Sequence, residues 1–269
     1  MTIDTQQAGP AFTAASTRYG SLTVRAPTMD APWRWLSAGL ADVRRAPLWS
    51  LGYGFVFVAF GLAVTAGFWG AGVAAITPAF AAGFGLLGPM LAVGLYEISR
   101  RLAAGEPLSL RGVLLVRTGA PVQLALLSFF LMFLFLVWMR VAMLLYALFS
   151  DGNYVPLGDF AAFVLGTPAG LALLVVGTGV GGCLALLAFA MTVLAVPTLV
   201  RRDVDAVTAI IASVGTVIRH PGPMLLWAWL IAVLVAFGLA TMLVGLVFVF
   251  PLLGHATWHA WRDLVDGPT

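Results

Sequence analysis

Charge is what this chain has least of. Only 9% of its residues are charged, against 61% that are hydrophobic. A soluble domain keeps about a quarter of its residues charged, so this chain cannot clothe a water-facing surface. Lysine is absent altogether, and all fourteen basic residues are arginine. With abundant alanine and glycine, that fits a GC-rich bacterial genome and carries no functional signal. The net charge of +3 is small and confined to loops, which argues against nucleic acid as a partner. The single cysteine, Cys183, lies inside an apolar run, so no intrachain disulfide can form. No Walker, G-x-S-x-G or H-E-x-x-H pattern occurs, and the expectation is that the chain is not an enzyme. Residues 1–30 are polar and hold no apolar segment behind a charged one, so we read no secretory signal there and expect a disordered tail.

What remains is apolar sequence, with a mean hydropathy of +1.02. Its runs are long enough to cross a hydrocarbon core of ~30 Å. The expected fold is an all-α polytopic membrane helix bundle occupying residues 31–265 as one domain. Spans are expected at 49–69, 76–98, 120–140 and 169–199. The second carries Pro78 and Pro89 and should kink. Residues 141–168 are expected to form an external loop lying on the membrane. The last apolar stretch, 222–254, is too long for one crossing. Extended to Trp261, it divides into two spans with a turn near Gly238 to Met242. That makes six transmembrane helices.

Arginine placement supports an even count. Arginines lie before the first span, in the 99–118 and 201–220 loops, and at Arg262. The alternate connections have none, apart from Arg140 at the expected end of its span. By the positive-inside rule both termini face the cytoplasm, here of a bacterial inner membrane. Arg140 can snorkel outward or pair with Asp151.

Short amphipathic segments precede three of the spans. Trp33 to Ala46 carries Leu36, Leu40 and Val43 on one face, with Asp42 assigned to the polar side. Val207 to Ile218 places Ile210, Val214 and Val217 at the same offsets before Arg219 as those three hold before Arg45. Pro47 and Pro221 each follow two residues later. Leu108 to Val116, with Arg117 and Pro121, is a looser third copy. Each is expected to lie flat on the cytoplasmic membrane face. The pattern reads as a threefold internal repeat of amphipathic helix, proline turn and helical pair. Glu97, Thr198 and His259 would then sit at equivalent depth.

Polar chemistry is densest in Pro251-Leu-Leu-Gly-His255-Ala-Thr-Trp-His259-Ala-Trp261-Arg262-Asp263. His255 and His259 are four apart and share a helical face. They could bind a metal ion or haem, or make interhelical hydrogen bonds. Glu97 is the one acidic residue that falls within a span, so it is either half of an ion pair or a proton relay. Glu97, His255, His259 and Arg262 are therefore the candidate polar site.

Several segments carry a family resemblance. These are Trp35-Leu36 through Asp42, Ser50-Leu-Gly-Tyr53-Gly54, Trp138-Met-Arg140-Val-Ala142, Arg202-Asp-Val-Asp205-Ala-Val-Thr-Ala209 with Pro221, and Pro251 through Ala260. Over residues 33–265 the chain resembles a family of bacterial integral membrane proteins defined by a domain of unknown function. The resemblance implies a six-span membrane protein and supplies no catalytic residue. Labels on some relatives link them to terminal oxidases. Trp261 departs from the family, which tends to have tyrosine there. The expected role is an accessory or assembly partner of a larger, respiratory membrane complex, with the lipid bilayer and a membrane protein as partners. The alternative is a small-solute or ion transporter using Glu97 and His259.

Overall fold

The computed structural model describes residues 16–153 and 155–266. Their helices fall into three successive groups. The first holds α1 (Ala31–Arg45), α2 (Pro47–Gly70), α3 (Thr77–Phe84), α4 (Gly88–Leu91) and α5 (Val93–Ala104). The second holds α6 (Leu110–Leu114), α7 (Pro121–Phe149), α8 (Leu157–Gly166), α9 (Pro168–Thr192) and α10 (Ala195–Arg201). The third holds α11 (Ala206–Arg219), α12 (Pro221–Ala240) and α13 (Leu246–Trp261), and a π turn, Arg262–Asp266, follows it.

Proline sets the joints. Pro47, Pro121 and Pro221 open α2, α7 and α12, where a missing N–H costs nothing. The residues before them share one conformation: Ala46 at φ −133°, ψ 59°, Ala120 at −132°, 72° and His220 at −127°, 59°. Thr167, before the fourth helix-opening proline, Pro168, has ψ 149° instead. The match is therefore particular to the three junctions of the expected repeat. Inside the returning helices proline acts differently. Pro89 cannot bond to Gly85, and the helix loosens to a 3-10 turn at Gly85–Leu87. Pro197 likewise cannot bond to Val193, where α9 gives way to α10. The expected kink is thus found at Pro89, whereas Pro78 lies in the first turn of α3 and bends nothing.

Among the described residues, five helical stretches are long and apolar enough to cross a membrane: Pro47–Gly70, Ala74–Ala104, Pro121–Phe149, Pro168–Arg201 and Pro221–Ala240. The sixth expected span corresponds to α13, which has 16 residues and is about 24 Å long. It is shorter than the core it was expected to cross, and it lies inside the bundle. The turn before it falls where expected, after Ala240, with Met242 and Leu243 at positive φ.

The inner ends of α5, α10 and α13 pack against one another. Leu95, Ile98, Leu199, Trp261 and their neighbours there are buried on nearly every side. The short helices surround this centre. Helix α6 packs on α5, α11 on α10, and α1 on α13. Each therefore rests on the returning helix of the preceding group, and α1 closes the ring. Away from this end the long helices expose apolar side chains such as Phe55, Phe129, Val175 and Phe237, as lipid-facing surface should.

Several expectations need correction. Residues 16–25, expected to be disordered, form a β-hairpin, β1 (Ser16–Tyr19) paired antiparallel with β2 (Leu22–Arg25); residues 1–15 lie outside the described residues. Gly20, at φ +55°, takes the tight turn, and alternation buries Leu22 and Val24 against α11 and the C-terminal turn. Helix α7 runs on to Phe149, so Arg140 lies within it, about two and a half turns from its end. Residues 141–168 are mostly helical, with α8 packed on α9. Asp42 is on the buried face of α1, with Trp35, Gly39 and Val43. That helix turns this face to α13, while Arg34, Arg44 and Arg45 are exposed.

Candidate functional site

The C-terminal motif is bound from several sides, and its polar side chains reach α1, α2, α5 and α10. His255 is completely buried. Its Nε2 lies 2.9 Å from the Ser50 hydroxyl on α2, and its Nδ1 lies 2.7 Å from the Ser99 hydroxyl on α5. His259 Nε2 lies 2.8 Å from Asp42 Oδ2 on α1. Trp261 Nε1 donates to Thr198 Oγ1 on α10 at 2.9 Å. Trp35 Nε1 on α1 donates to Asp263 Oδ2 at 2.9 Å, and the Arg201 guanidinium sits 5.8 Å above the Trp258 ring.

The proton directions follow from Asp42. Burial alone would raise its pKa. Hydrogen bonds from His259 and from the Ser99 hydroxyl, with the histidine's charge, outweigh burial and hold the carboxyl below its ordinary value. An ionised carboxylate only accepts, so His259 and Ser99 both donate to it. The Ser99 oxygen then accepts from His255 Nδ1–H, and His255 Nε2 accepts from the Ser50 hydroxyl. The result is a continuous polar chain, Ser50–His255–Ser99–Asp42–His259, with every member partnered.

Glu97 belongs to a second cluster. Its carboxylate takes Arg100 and Arg101 at 2.7–2.8 Å, with Arg201 at 3.9 Å. Arg100 also binds Glu106 at 2.6–2.7 Å; these bonds hold the Glu106 carboxyl below its ordinary pKa against an opposing desolvation. Glu97 and Ser99 are two residues apart, hence on opposite sides of α5. Glu97 therefore turns away from His255. Glu97, His255, His259 and Arg262 were expected to form one polar site, and the first is separate from the histidines. Arg262 is half-buried at the start of the π turn. Arg140 and Asp151 are both exposed and make no ion pair with each other among the described residues.

The histidine pair does not fit a shared metal or haem iron. Both ring nitrogens of His255 already face serine hydroxyls, so a metal would have to displace one. Among the described residues no group of three His, Cys, Asp or Glu side chains could hold an ion. Sequence reasoning missed Asp42, Ser50 and Ser99. The available signal was the i, i+4, i+7 spacing of Trp35, Gly39 and Asp42, which marks one helical face irrespective of hydrophobicity.

One large cavity adjoins this end of the bundle. It is a slot of about 580 Å3 between α2, the broken helix α3–α5, α9, α12 and α13. Its walls are mainly apolar. The hydroxyls that reach it are those of Thr65, Tyr96, Thr192 and Thr257. Each donates to a carbonyl of its own helical stretch, namely Gly61, Pro89, Ala188 and Leu253. The glycines of α9 divide into two kinds. A Cβ on Gly177, Gly179 or Gly182 would meet nothing, whereas one on Gly170 would strike the Phe163 backbone of α8 and one on Gly181 would strike Trp138.

Long apolar helices, lipid-compatible surfaces and a polar cluster sealed at one end define a polytopic α-helical membrane protein. Comparison with protein families gives the same class: the family described as predicted integral membrane protein (DUF2189) matches residues 76–201. The match covers α3 through α10 and stops before the C-terminal motif. No curated protein and no solved structure matches the chain.

Proposed function

We propose that the protein acts by interaction, as an accessory or assembly partner of a larger complex in the bacterial inner membrane, respiratory complexes among them. One observation carries this reading. The polar groups that transport would need are spent on structural bonds: His255 through both ring nitrogens and His259 on Asp42 join helices, and Glu97 is taken by arginines of its own helix. The transporter alternative relied on Glu97 and His259 acting together, and they belong to separate clusters. The slot offers a polar solute no unspent hydroxyl. Ser50 donating to His255 resembles an activated nucleophile, but both residues have no exposed surface. That burial favours a non-enzymatic role.

Deletion of the gene should lower the amount of one assembled membrane complex, seen by native electrophoresis of inner membranes in mild detergent. A wild-type copy should restore it, and the protein should migrate with that complex. The reading fails if the protein migrates alone and deletion changes no complex. It also fails if reconstituted vesicles show a proton or solute flux that His259→Asn or Glu97→Gln abolishes.

A further inference from the structure

The slot is a built feature of the bundle. Helices α9 and α12 line facing parts of it yet make little direct contact with each other. Its length follows from α12, whose wall residues run from Leu225 to Leu239. At 1.5 Å per residue that is about 21 Å along the helix, longer than one leaflet's share of a ~30 Å hydrocarbon core. Trp229, Leu225 and Leu186 at its edges are exposed. The slot therefore runs along the membrane normal and opens sideways, toward lipid, between α9 and α12.

Three occupants of such a slot can be compared. A helix with its side chains is about 10 Å across, so one lying along the slot needs roughly 1,600 Å3. The slot has about 580 Å3. A quinone or a polar solute would need a hydrogen-bonding partner for its head, and the wall hydroxyls are already donating to backbone carbonyls, which leaves the indole of Trp229 at the exposed edge as a donor and none deeper among the hydroxyls. A hydrocarbon chain needs neither width nor partners. The wall also keeps itself open for one. A Cβ on Gly85, Gly88 or Gly182 would meet nothing within 4 Å, and one on Gly61 would meet only Leu243, at 3.5 Å. Glycine is the costliest residue to hold in a helix interior, and here these glycines serve no close helix contact.

We propose that this slot holds one acyl chain of a membrane phospholipid, which enters between α9 and α12 and leaves its headgroup at the interface. The site concerns lipid, not a protein partner, and stands whether or not the assembly role does.

The test uses the full chain in vesicles of phosphatidylethanolamine and phosphatidylglycerol, with a photoactivatable diazirine in one acyl chain. Adducts are mapped by peptide mass spectrometry. Phe57, Phe189 and Ala228, which line the slot, should be labelled. Gly182→Phe, which fills the slot, should lower that labelling by about tenfold, the effect of overpacking one large side chain. Labelling of lipid-facing Val175 should not change. Gly61→Leu fills the slot from another wall, so the result does not depend on one variant folding. Native mass spectrometry of the wild type should retain one phospholipid that both variants lose. The proposal is overturned by any of three results: slot-wall labelling that neither variant reduces, displacement of the label by an isoprenoid quinone, or a slot-wall cross-link to another protein.

Discussion

Gly39→Ala tests the packing that closes the ring. Gly39 lies where α1 meets α13. A Cβ there would stand 2.7 Å from the Ala256 nitrogen, 2.9 Å from the Leu252 carbonyl oxygen and 3.0 Å from the Ala256 Cα. All three are backbone atoms of the other helix, so no side chain can rotate away. Reaching an ordinary contact requires α1 to withdraw by roughly 0.7 Å, and overpacking of this kind costs about 1–3 kcal/mol. The movement also threatens the bond one turn further on, where Asp42 meets His259 at 2.8 Å. A hydrogen bond to a charged group contributes about 1.5–3 kcal/mol. Against these losses, alanine is better than glycine in a helix by about 1 kcal/mol.

The net expectation is a loss of about 2–3 kcal/mol. For a chain of this size that is a fall in melting temperature of roughly 4–12 °C. Melting of the detergent-purified protein, followed by size-exclusion chromatography after heating, measures it. Gly177→Ala is the control: its Cβ meets nothing, so it should melt no lower than wild type. If Gly39→Ala melts within about a degree of wild type, α1 does not seat on α13 as described.

Three further predictions concern the polar clusters and the membrane. Asp42→Asn should destabilise the protein by about 1–2 kcal/mol at neutral pH. Because the folded carboxyl has a lowered pKa, its contribution is present above the unfolded value, about 3.9, and is lost as pH falls through the folded value. The wild-type and Asn melting curves should therefore converge in acid and not in base; a gap that persists at the lowest pH would contradict the assignment. Glu97→Gln leaves three arginines without their shared carboxylate and should cost about 2 kcal/mol, less than for a fully buried pair because the arginines keep contact with water; melting in high salt should narrow the difference, and a salt-independent effect would count against an ionic origin. Helix α11 exposes Val207, Ile211 and Ile218 along one stripe, so spin labels at Ile211 and Ile218 should report lipid-like accessibility to oxygen over a polar relaxant, whereas water-like accessibility at both would remove α11 from the interface.

How much of this was legible in the sequence depends on the kind of signal each element left. Length and hydropathy expose a membrane span directly, so α2, α7, α9 and α12 were found with only their ends misplaced. Arginine followed by proline marked α1 and α11. The inward face of α1 was misread because a hydrophobic stripe is a proxy for burial. Leu36 and Leu40 are only half-buried, while Gly39 and Asp42 face α13. A glycine is buried there for close approach and an aspartate for its partner, and neither reason is hydrophobic. The hairpin was missed for a related cause. Thr17 through Arg25 are mostly polar, yet Leu22 and Val24 alternate after the Gly20 turn, and that short period was the cue. The histidines stood out in the sequence as the densest polar chemistry. Their partners Ser50 and Ser99 were not, since a serine inside an apolar helix looks the same whether or not it has a partner.

The concentration of polar residues in the last helix follows from the order of the chain. Helices α6 and α11 follow directly on the helices they rest on, α5 and α10, so chain continuity brings each pair together at little cost. The contact of α1 with α13 joins opposite ends of the sequence and has no such help. Apolar packing cannot by itself select it, because lipid tails are as apolar as leucine and offer helices no hydrophobic reason to associate. Directional bonds between particular side chains can. Asp42 to His259 and Trp35 to Asp263 join α1 to the C-terminal segment, while Ser50 and Ser99 hold His255 from α2 and α5. Trp261 completes the set through Thr198 of α10. The C-terminal motif thus carries bonds to α1, α2, α5 and α10, the helices that must meet at the centre, which accounts for its two histidines and for Trp261 without requiring a metal, a substrate or a proton path.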